Sequence, residues 1–211
     1  MTIGIAIPTF LGHVGFLKNL LFQISNSTIL PKQVSVSLSS FDDELELDDY
    51  PFDLIITITK EFKNSSQNRN IAASKLETDI ISFIDGDDLP HKKRNEFLLK
   101  SFENSSQIIL HNYERDNSYI VDYNQEIGEL ELYKDYIDTF VSDNHFPKSS
   151  KGHLPYANGH VSILKTLFDK FKYDERDDLF GCCEDSEYNS RLVKNGYKIC
   201  YIGNKLTYYY K

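Results

Sequence analysis

The chain has 211 residues, enough for one large domain or two small ones at ~100–200 residues per domain. A hydrophobic fraction of 40% supports a buried core and excludes a disordered chain. The net charge of −9 argues against nonspecific nucleic-acid binding, which needs Lys and Arg to neutralise phosphates. No apolar run approaches the ~18 residues of a membrane span, and we expect no signal peptide from the first residues.

The first half of the chain alternates strand-like and helix-like patterns. We predict strands at Thr2–Pro8, Gln33–Ser39, Leu54–Thr59, Asp79–Ile84 and Gln107–Tyr113, and helices at Gly15–Ser25, from Asn64 through Leu76, and at Lys92–Phe102. This order favours an α/β fold with a mostly parallel central sheet and helices on both faces.

The second half has a less regular pattern. We predict a hairpin and then a helix near Leu132–Phe140, a loop at His145–Asn158, helices at Gly159–Phe171 and Glu184–Asn195, and a last strand at Tyr197–Ile202. Because neither a linker nor a repeat interrupts the chain, we expect one domain.

The sequence contains three cysteines, Cys182, Cys183 and Cys200, whose number and spacing indicate the redox environment of the protein. Their number is odd, and none has zinc-site spacing. This pattern fits a reducing compartment, so we expect a cytoplasmic location.

Ligands of α/β sheets bind outside the carboxyl ends of the strands. That rule selects three segments here: Pro8-Thr9, Ser40–Asp43 and Asp85–Asp88. The third segment has three carboxylates within four residues, and ionised carboxylates this close repel one another. Mg²⁺ or Mn²⁺ relieves such repulsion, so the spacing indicates a metal–diphosphate site, with a plain polar turn as the alternative.

Other candidate residues have a structural reading beside the functional one. Arg69 binds a phosphate, braces the carboxylates or is simply exposed on its helix. Glu184 and Asp185 supply a general base, or they only stabilise a helix N-terminus. His160 either takes a direct role in a substrate loop or is a structural histidine.

Four motifs in order resemble those of GT-A glycosyltransferases, closest to the family-two-like group. They are Ile5-Ala6-Ile7-Pro8-Thr9-Phe10, Arg69-Asn70-x-Ala72, Phe83-Ile84-Asp85-Gly86-Asp87-Asp88 and Glu184-Asp185. The similarity is strongest over residues 2–103 and 180–202, and the compact length also resembles small GT-A domains encoded by large DNA viruses. In a virus-encoded protein, the expected cytoplasm is that of the host cell.

The resemblance implies a single GT-A domain over residues 1–211, an α/β/α sandwich with a nucleotide-sugar part at about 1–113 and an acceptor part at about 114–211. It implies metal-dependent transfer of a hexosyl or deoxyhexosyl group from a nucleotide sugar, expected to be UDP-linked, to a glycan hydroxyl. We expect inversion at the anomeric carbon, although retaining enzymes share this fold.

The resemblance also assigns roles to individual residues. The expected donor-binding residues are Pro8, Thr9, Ser40, Asp42 and Gly86. Asp85 is expected to face the ribose or the metal, and Asp87 to bind Mn²⁺ or Mg²⁺. Arg69 is expected to brace this cluster, and Asp185 or Glu184 to act as the base. Two features depart from the family. Ser39-Ser40-Phe41-Asp42-Asp43 replaces the usual Asp-Asp-Gly-Ser, and no histidine follows His160 to complete a metal site.

Two other function classes stay open on the sequence alone. A module that binds a nucleotide sugar or glycan without turnover has the same donor motifs. An Asp-dependent phosphatase or nucleotidyltransferase also uses an acidic turn. A phosphatase of that type, however, normally has this turn after the first strand, whereas the first strand here ends in Pro8-Thr9.

Overall fold

The computed structural model describes residues 1–104, 106–116, 125–140, 147–149, 160–177 and 184–210. The helices are α1 (Val14–Ser25), α2 (Ser65–Ser74), α3 (Arg94–Glu103), α4 (Lys165–Phe168) and α5 (Glu184–Lys194), with a 3₁₀ turn at Leu11–His13. The strands are β1 (Ile3–Phe10), β2 (Gln33–Ser39), β3 (Asp53–Thr59), β4 (Ile80–Phe83), β5 (Leu89–Pro90), β6 (Ile108–Asp116), β7 (Leu132–Phe140), β8 (Pro147–Ser149), β9 (Ser162–Leu164) and β10 (Ile199–Tyr210).

All of these strands join one sheet in the order β3-β2-β1-β4-β9-β6-β10-β7-β8, and β5 pairs with β10. The pairs β3/β2, β2/β1, β1/β4 and β6/β10 are parallel. The short β9 lies antiparallel between β4 and β6, and β7 and β8 are also antiparallel to their neighbours. The α/β prediction is confirmed, and the parallel arrangement holds for the first four sheet positions, whereas the other half of the sheet is mixed.

Side-chain alternation along the central strands separates two apolar layers. Ile5 and Ile7 of β1 pack in the cluster that contains the buried face of α1, and Ile3 packs in the cluster that contains α3. Ala6 joins the opposite cluster with residues of α2, α4 and α5. The sheet is therefore covered by helices on both faces, and the ends of its central strands are left as the place for a site.

Two helix predictions in the second half are wrong. Leu132–Phe140 is strand β7 because it pairs with β10, and this pairing buries Tyr136 and Ile137. The segment predicted as helix Gly159–Phe171 holds β9 before the short α4, since β9 completes the sheet between β4 and β6. Of the predicted loop at His145–Asn158, the described residues form β8, and the rest lies outside them.

The hairpin predicted before Leu132 falls largely outside the described residues, and the remaining predicted elements agree in type with the structure. The final strand is longer than predicted and runs to Tyr210, because its distal half pairs with β6 and β5. Among the residues that the structure describes, no helix has the length and apolarity needed to cross a membrane.

Candidate donor site

A cavity of about 390 Å³ opens at the sheet edge where β1 and β4 end. The sequence-predicted residues that line it are Pro8, Thr9, Arg69, Asp85, Asp87 and Glu184. It is also lined by Phe10, the last residue of the first motif, and by residues without a predicted role, namely His13, Phe62, Lys63, Ser65, Asn68 and Tyr209. The cavity thus combines aromatic walls with charges of both signs.

The acidic turn is fixed to the end of β1 through Gly86. The Gly86 amide donates to the Pro8 carbonyl at 3.2 Å. A Cβ on Gly86 would lie 2.5 Å from Thr9 Oγ1, so only glycine permits this approach. Gly86 therefore brings the turn against the Pro8-Thr9 segment, as the donor-site prediction requires, although its own role toward a donor stays a prediction.

The three carboxylates of the turn have three different surroundings. Asp85 accepts a hydrogen bond from Arg69 Nη2 at 3.0 Å, and Asp87 Oδ2 lies 3.6 Å from His13 Nε2. Asp88 points inward, is fully buried and contacts His160. Of the three carboxylates in this turn, Asp85 and Asp87 therefore line the cavity and Asp88 does not.

Arg69 joins the acidic turn to the start of α5. Its side chain is 3% exposed, and Nη1 lies 3.2 Å from both Glu184 Oε1 and Asp185 Oδ1. Burial alone would lower the pKa of Arg69, but the carboxylates, Asp185 and Asp85 foremost, raise it well above its usual value. Arg69 is therefore a permanent cation in contact with three carboxylates, and its role toward a donor stays a prediction.

The local sequence explains where Arg69 points. Asn64 and Gln67 form a capping box, in which each side chain accepts the other residue's backbone amide hydrogen, and this fixes the first turn of α2. Asn68, one residue before the arginine, ties the helix to β2 through Ser37 and Ser39. These bonds set the rotation of the helix.

Glu184 and Asp185 differ although they are neighbours at the start of α5. Glu184 Oε1 accepts hydrogen bonds from Ser65 Oγ at 2.8 Å and from Arg69 Nη1 at 3.2 Å. Asp185 Oδ1 is buried, and its contact with Arg69 lacks hydrogen-bond geometry. The pKa of Asp185 is raised to about 7, chiefly by burial and also by the carboxylates of Asp85 and Glu184, with Arg69 opposing the rise. Asp185 thus has the pKa of a general base near neutral pH.

The residues at the turn fit a divalent cation held partly by substrate. Burial raises the pKa of Asp87, His13 opposes this, and Asp85 adds to the rise, so a cation there would relieve unfavourable charge. Within the described ranges, no group of three or more Asp, Glu, His or Cys side chains is arranged to hold a metal. Proteins nonetheless usually bind Mg²⁺ through one or two carboxylates, and water and substrate phosphate supply the other ligands.

Ser40 and Asp42, the predicted base and ribose contacts, are not among the residues that line the cavity. Ser40 adopts a φ of 56° and donates its amide hydrogen to the Glu61 carbonyl, which closes the end of β2. Asp42 is 72% exposed and lies 3.9 Å from Lys60. Their roles in donor binding stay predictions.

Most of the additional cavity residues have no sequence signal that distinguishes them. Phe62 and Lys63 follow β3, whose end adjoins that of β2, so the strand-end rule includes them once the strand order is known. Tyr209 reaches the cavity from the chain's last strand, which no local pattern indicates.

Comparison with known proteins identifies the fold. No protein-family model and no curated protein sequence matches the chain. The solved structures that it resembles include S. aureus TarS 1-349 in complex with UDP-GlcNAc, with a TM-score of 0.71 and 15% identity over 100% of this chain and 59% of that one. TarS 1-349 in complex with UDP gives a TM-score of 0.66 and 16% identity over 100% of this chain and 61% of that one. The chain has a GT-A glycosyltransferase-like fold and spans about three fifths of the length of TarS 1-349.

Proposed function

We propose that the chain is a metal-dependent glycosyltransferase that moves a hexosyl or deoxyhexosyl group from a UDP-linked sugar to a glycan hydroxyl. The observation that carries the proposal is the Arg69 bridge. It joins Asp85, at the carboxyl end of β4, to Glu184 and Asp185, at the start of α5. Asp85 and Glu184 line the cavity, and Asp185, whose Oδ1 is buried, directly follows Glu184 in the chain. A donor-side carboxylate and a candidate base are thereby held in one charged unit.

Buried polar atoms without hydrogen-bond partners support a ligand at this place. Thr9 Oγ1, Arg69 Nε and Asp185 Oδ1 are all in this state. Such atoms are rare in proteins because each costs free energy, and a bound ligand or ordered water is the usual remedy. The likeness of the fold to TarS structures in complex with UDP-GlcNAc and UDP supports a nucleotide sugar as that ligand.

Mn²⁺ or Mg²⁺ would be held by Asp87 and Asp85, and when bound would offset the charge of the donor's diphosphate. Lys63 lines the same cavity and contributes a further positive charge. Phe10 and Phe62, also in the lining, offer apolar surface for the nucleoside. Donor recognition in this proposal therefore combines the acidic turn with residues from β1 and the β3–α2 connection.

In the transfer step, Asp185 takes the proton of the acceptor hydroxyl. The acceptor oxygen forms a bond to the anomeric carbon while the bond from that carbon to the diphosphate oxygen breaks, and the electron pair leaves with the nucleoside diphosphate. During this step Arg69 stays in contact with Asp185 through Nη1 and with Asp85 through Nη2. Glu184, whose Oε1 already accepts two hydrogen bonds, orients Arg69 and Ser65. This displacement inverts the anomeric configuration.

The test compares Asp185→Asn with Glu184→Gln in UDP release from UDP-sugars and in UDP affinity. Removing a general base lowers the rate by ~10²–10⁴-fold and leaves donor affinity unchanged. We expect that pattern for Asp185→Asn and a smaller rate loss for Glu184→Gln. If both variants transfer at the parent rate, the assignment of the base is wrong. If the parent binds UDP and transfers nothing to any acceptor or water, the protein is a binding module.

A further inference from the structure

Behind the acidic turn lies a buried polar cluster, made of Asp88, His160, Arg94 and His111, that the proposed transfer does not use. All four side chains are at most 1% exposed. His160 Nε2 donates to Asp88 Oδ2 at 2.7 Å, and Arg94 Nε donates to His111 Nε2 at 3.2 Å. Arg94 also donates to the Phe83 carbonyl at 2.8 Å, at the end of β4. The cluster therefore joins the turn to strand ends far away in the sequence.

Hydrogen-bond chemistry fixes the proton positions in this cluster. An ionised Asp88 only accepts, which places the His160 proton on Nε2. Because Arg94 donates to His111 Nε2, the proton of His111 is on Nδ1, which donates to the Asn112 carbonyl at 2.9 Å. Both imidazoles are then neutral, and burial together with Arg94 lowers the pKa of each well below its usual value. Burial lowers the pKa of Arg94 to about 9, and the nearby Asp88 opposes this shift.

Asp87 lies between Gly86 and Asp88, and both of these neighbours are held in place by contacts outside the turn. On one side, the Gly86 amide is bonded to Pro8 and a Cβ there has no room. On the other side, the Asp88 side chain is held by His160, and its amide donates to the Asp85 carbonyl at 3.1 Å. Asp87 itself is 31% exposed at the cavity. Its carboxylate is thus aimed by neighbours that do not face the cavity.

We propose that Asp88 and His160 are positioning residues that set the direction of the Asp87 carboxylate, and that neither contacts the donor or the cation. The inference rests on the proposed function, because it concerns how the acidic turn is presented to Mn²⁺ and a nucleoside diphosphate. It also gives His160 a role that differs from direct participation in a substrate loop. Partners one step removed from a metal ligand typically change metal affinity by ~10–100-fold when they are removed.

The experiment measures UDP binding by calorimetry over a range of Mn²⁺ concentrations. His160→Leu removes the donor to Asp88, and we expect it to raise the Mn²⁺ concentration for half-maximal UDP binding by at least ~10-fold. His160→Gln supplies an amide N–H at a similar reach, and we expect it to restore most of the parent value. If His160→Leu does not fold, His160→Asn, whose amide is too short to reach Asp88, takes its place.

The matched control is Ser162→Ala. Ser162 is equally buried two residues away, and its hydroxyl bonds to Ser82 at 2.7 Å, so the change removes a buried hydrogen bond between β4 and β9. It lowers the melting temperature without changing the Mn²⁺ dependence. A folded His160→Leu or His160→Asn variant with parent Mn²⁺ dependence overturns the positioning role, as does a control that shifts as far as His160→Leu. A parent protein that fails to bind UDP with Mn²⁺ overturns the proposed function, and the positioning role with it.

Discussion

Replacing Asp185 by asparagine removes a buried carboxylate whose ionisation the fold opposes. Burial raises its pKa from 3.8 to about 7 in spite of Arg69. The folded state therefore holds this proton more tightly than the unfolded chain does. Stability must fall as the pH rises between those two values, and the loss is complete above the folded-state pKa.

The size of the effect follows from the shift of about three pKa units. At ~1.4 kcal/mol per unit, ionised Asp185 lowers the free energy of unfolding by about 4 kcal/mol in total, of which about 2–3 kcal/mol is lost between about pH 5 and pH 8. Asparagine has no such titration. We expect the stability of Asp185→Asn relative to the parent to rise by about 2–3 kcal/mol over that window.

Urea denaturation of both proteins at several pH values measures this difference. Titrating groups that do not interact with Asp185 are common to the two chains and cancel. Glu187→Gln, on the same helix, reports the loss of a helix-terminal charge together with its ion pair to Arg191. A difference between Asp185→Asn and the parent that does not change with pH would refute the reasoning, because Asp185 would then ionise as it does in water.

Three further predictions concern the cavity and the cysteines. Asp87→Asn should raise the Kd for UDP in Mn²⁺ by at least roughly tenfold without lowering the melting temperature, and calorimetry with thermal unfolding checks both. Lys63→Ala should weaken UDP binding by about fivefold, near 1 kcal/mol, with a smaller loss at high salt, whereas Lys75→Ala, at the far end of α2, should not. Cys200 is a buried free thiol, and all three cysteines should react as thiols in the denatured, non-reduced protein; a disulfide in a thiol titration would contradict the proposed cytoplasmic location.

The N-terminal half could be predicted because its patterns are local and strong. The run that ends at Pro8 and the run that ends before Asp85 are parallel neighbours in the sheet, so their ends meet as expected. The strand β7 could not be predicted from its own residues, because its pairing with β10 decides its conformation. Side-chain direction in the acidic turn was also beyond the sequence, since Asp88 is turned inward by His160, a residue 72 positions away.

The placement of Arg69 illustrates the same limit from the functional side. Its nearness to the acidic turn was expected from the motif order, and the structure agrees. Its contacts with both Glu184 and Asp185 join residues more than a hundred positions apart. No spacing in the sequence indicates a contact between residues so far apart, and only the folded structure places them side by side.

The most direct test of the central claim is the release of UDP from a panel of UDP-hexoses and UDP-deoxyhexoses in the presence of Mn²⁺. We expect the parent to release UDP from at least one of these donors. Asp185→Asn should bind UDP normally but release it from the donor ~10²–10⁴-fold more slowly, and Ser162→Ala should keep the parent rate. Release that is absent from the parent for every donor, or equal in the parent and Asp185→Asn, would contradict the central claim.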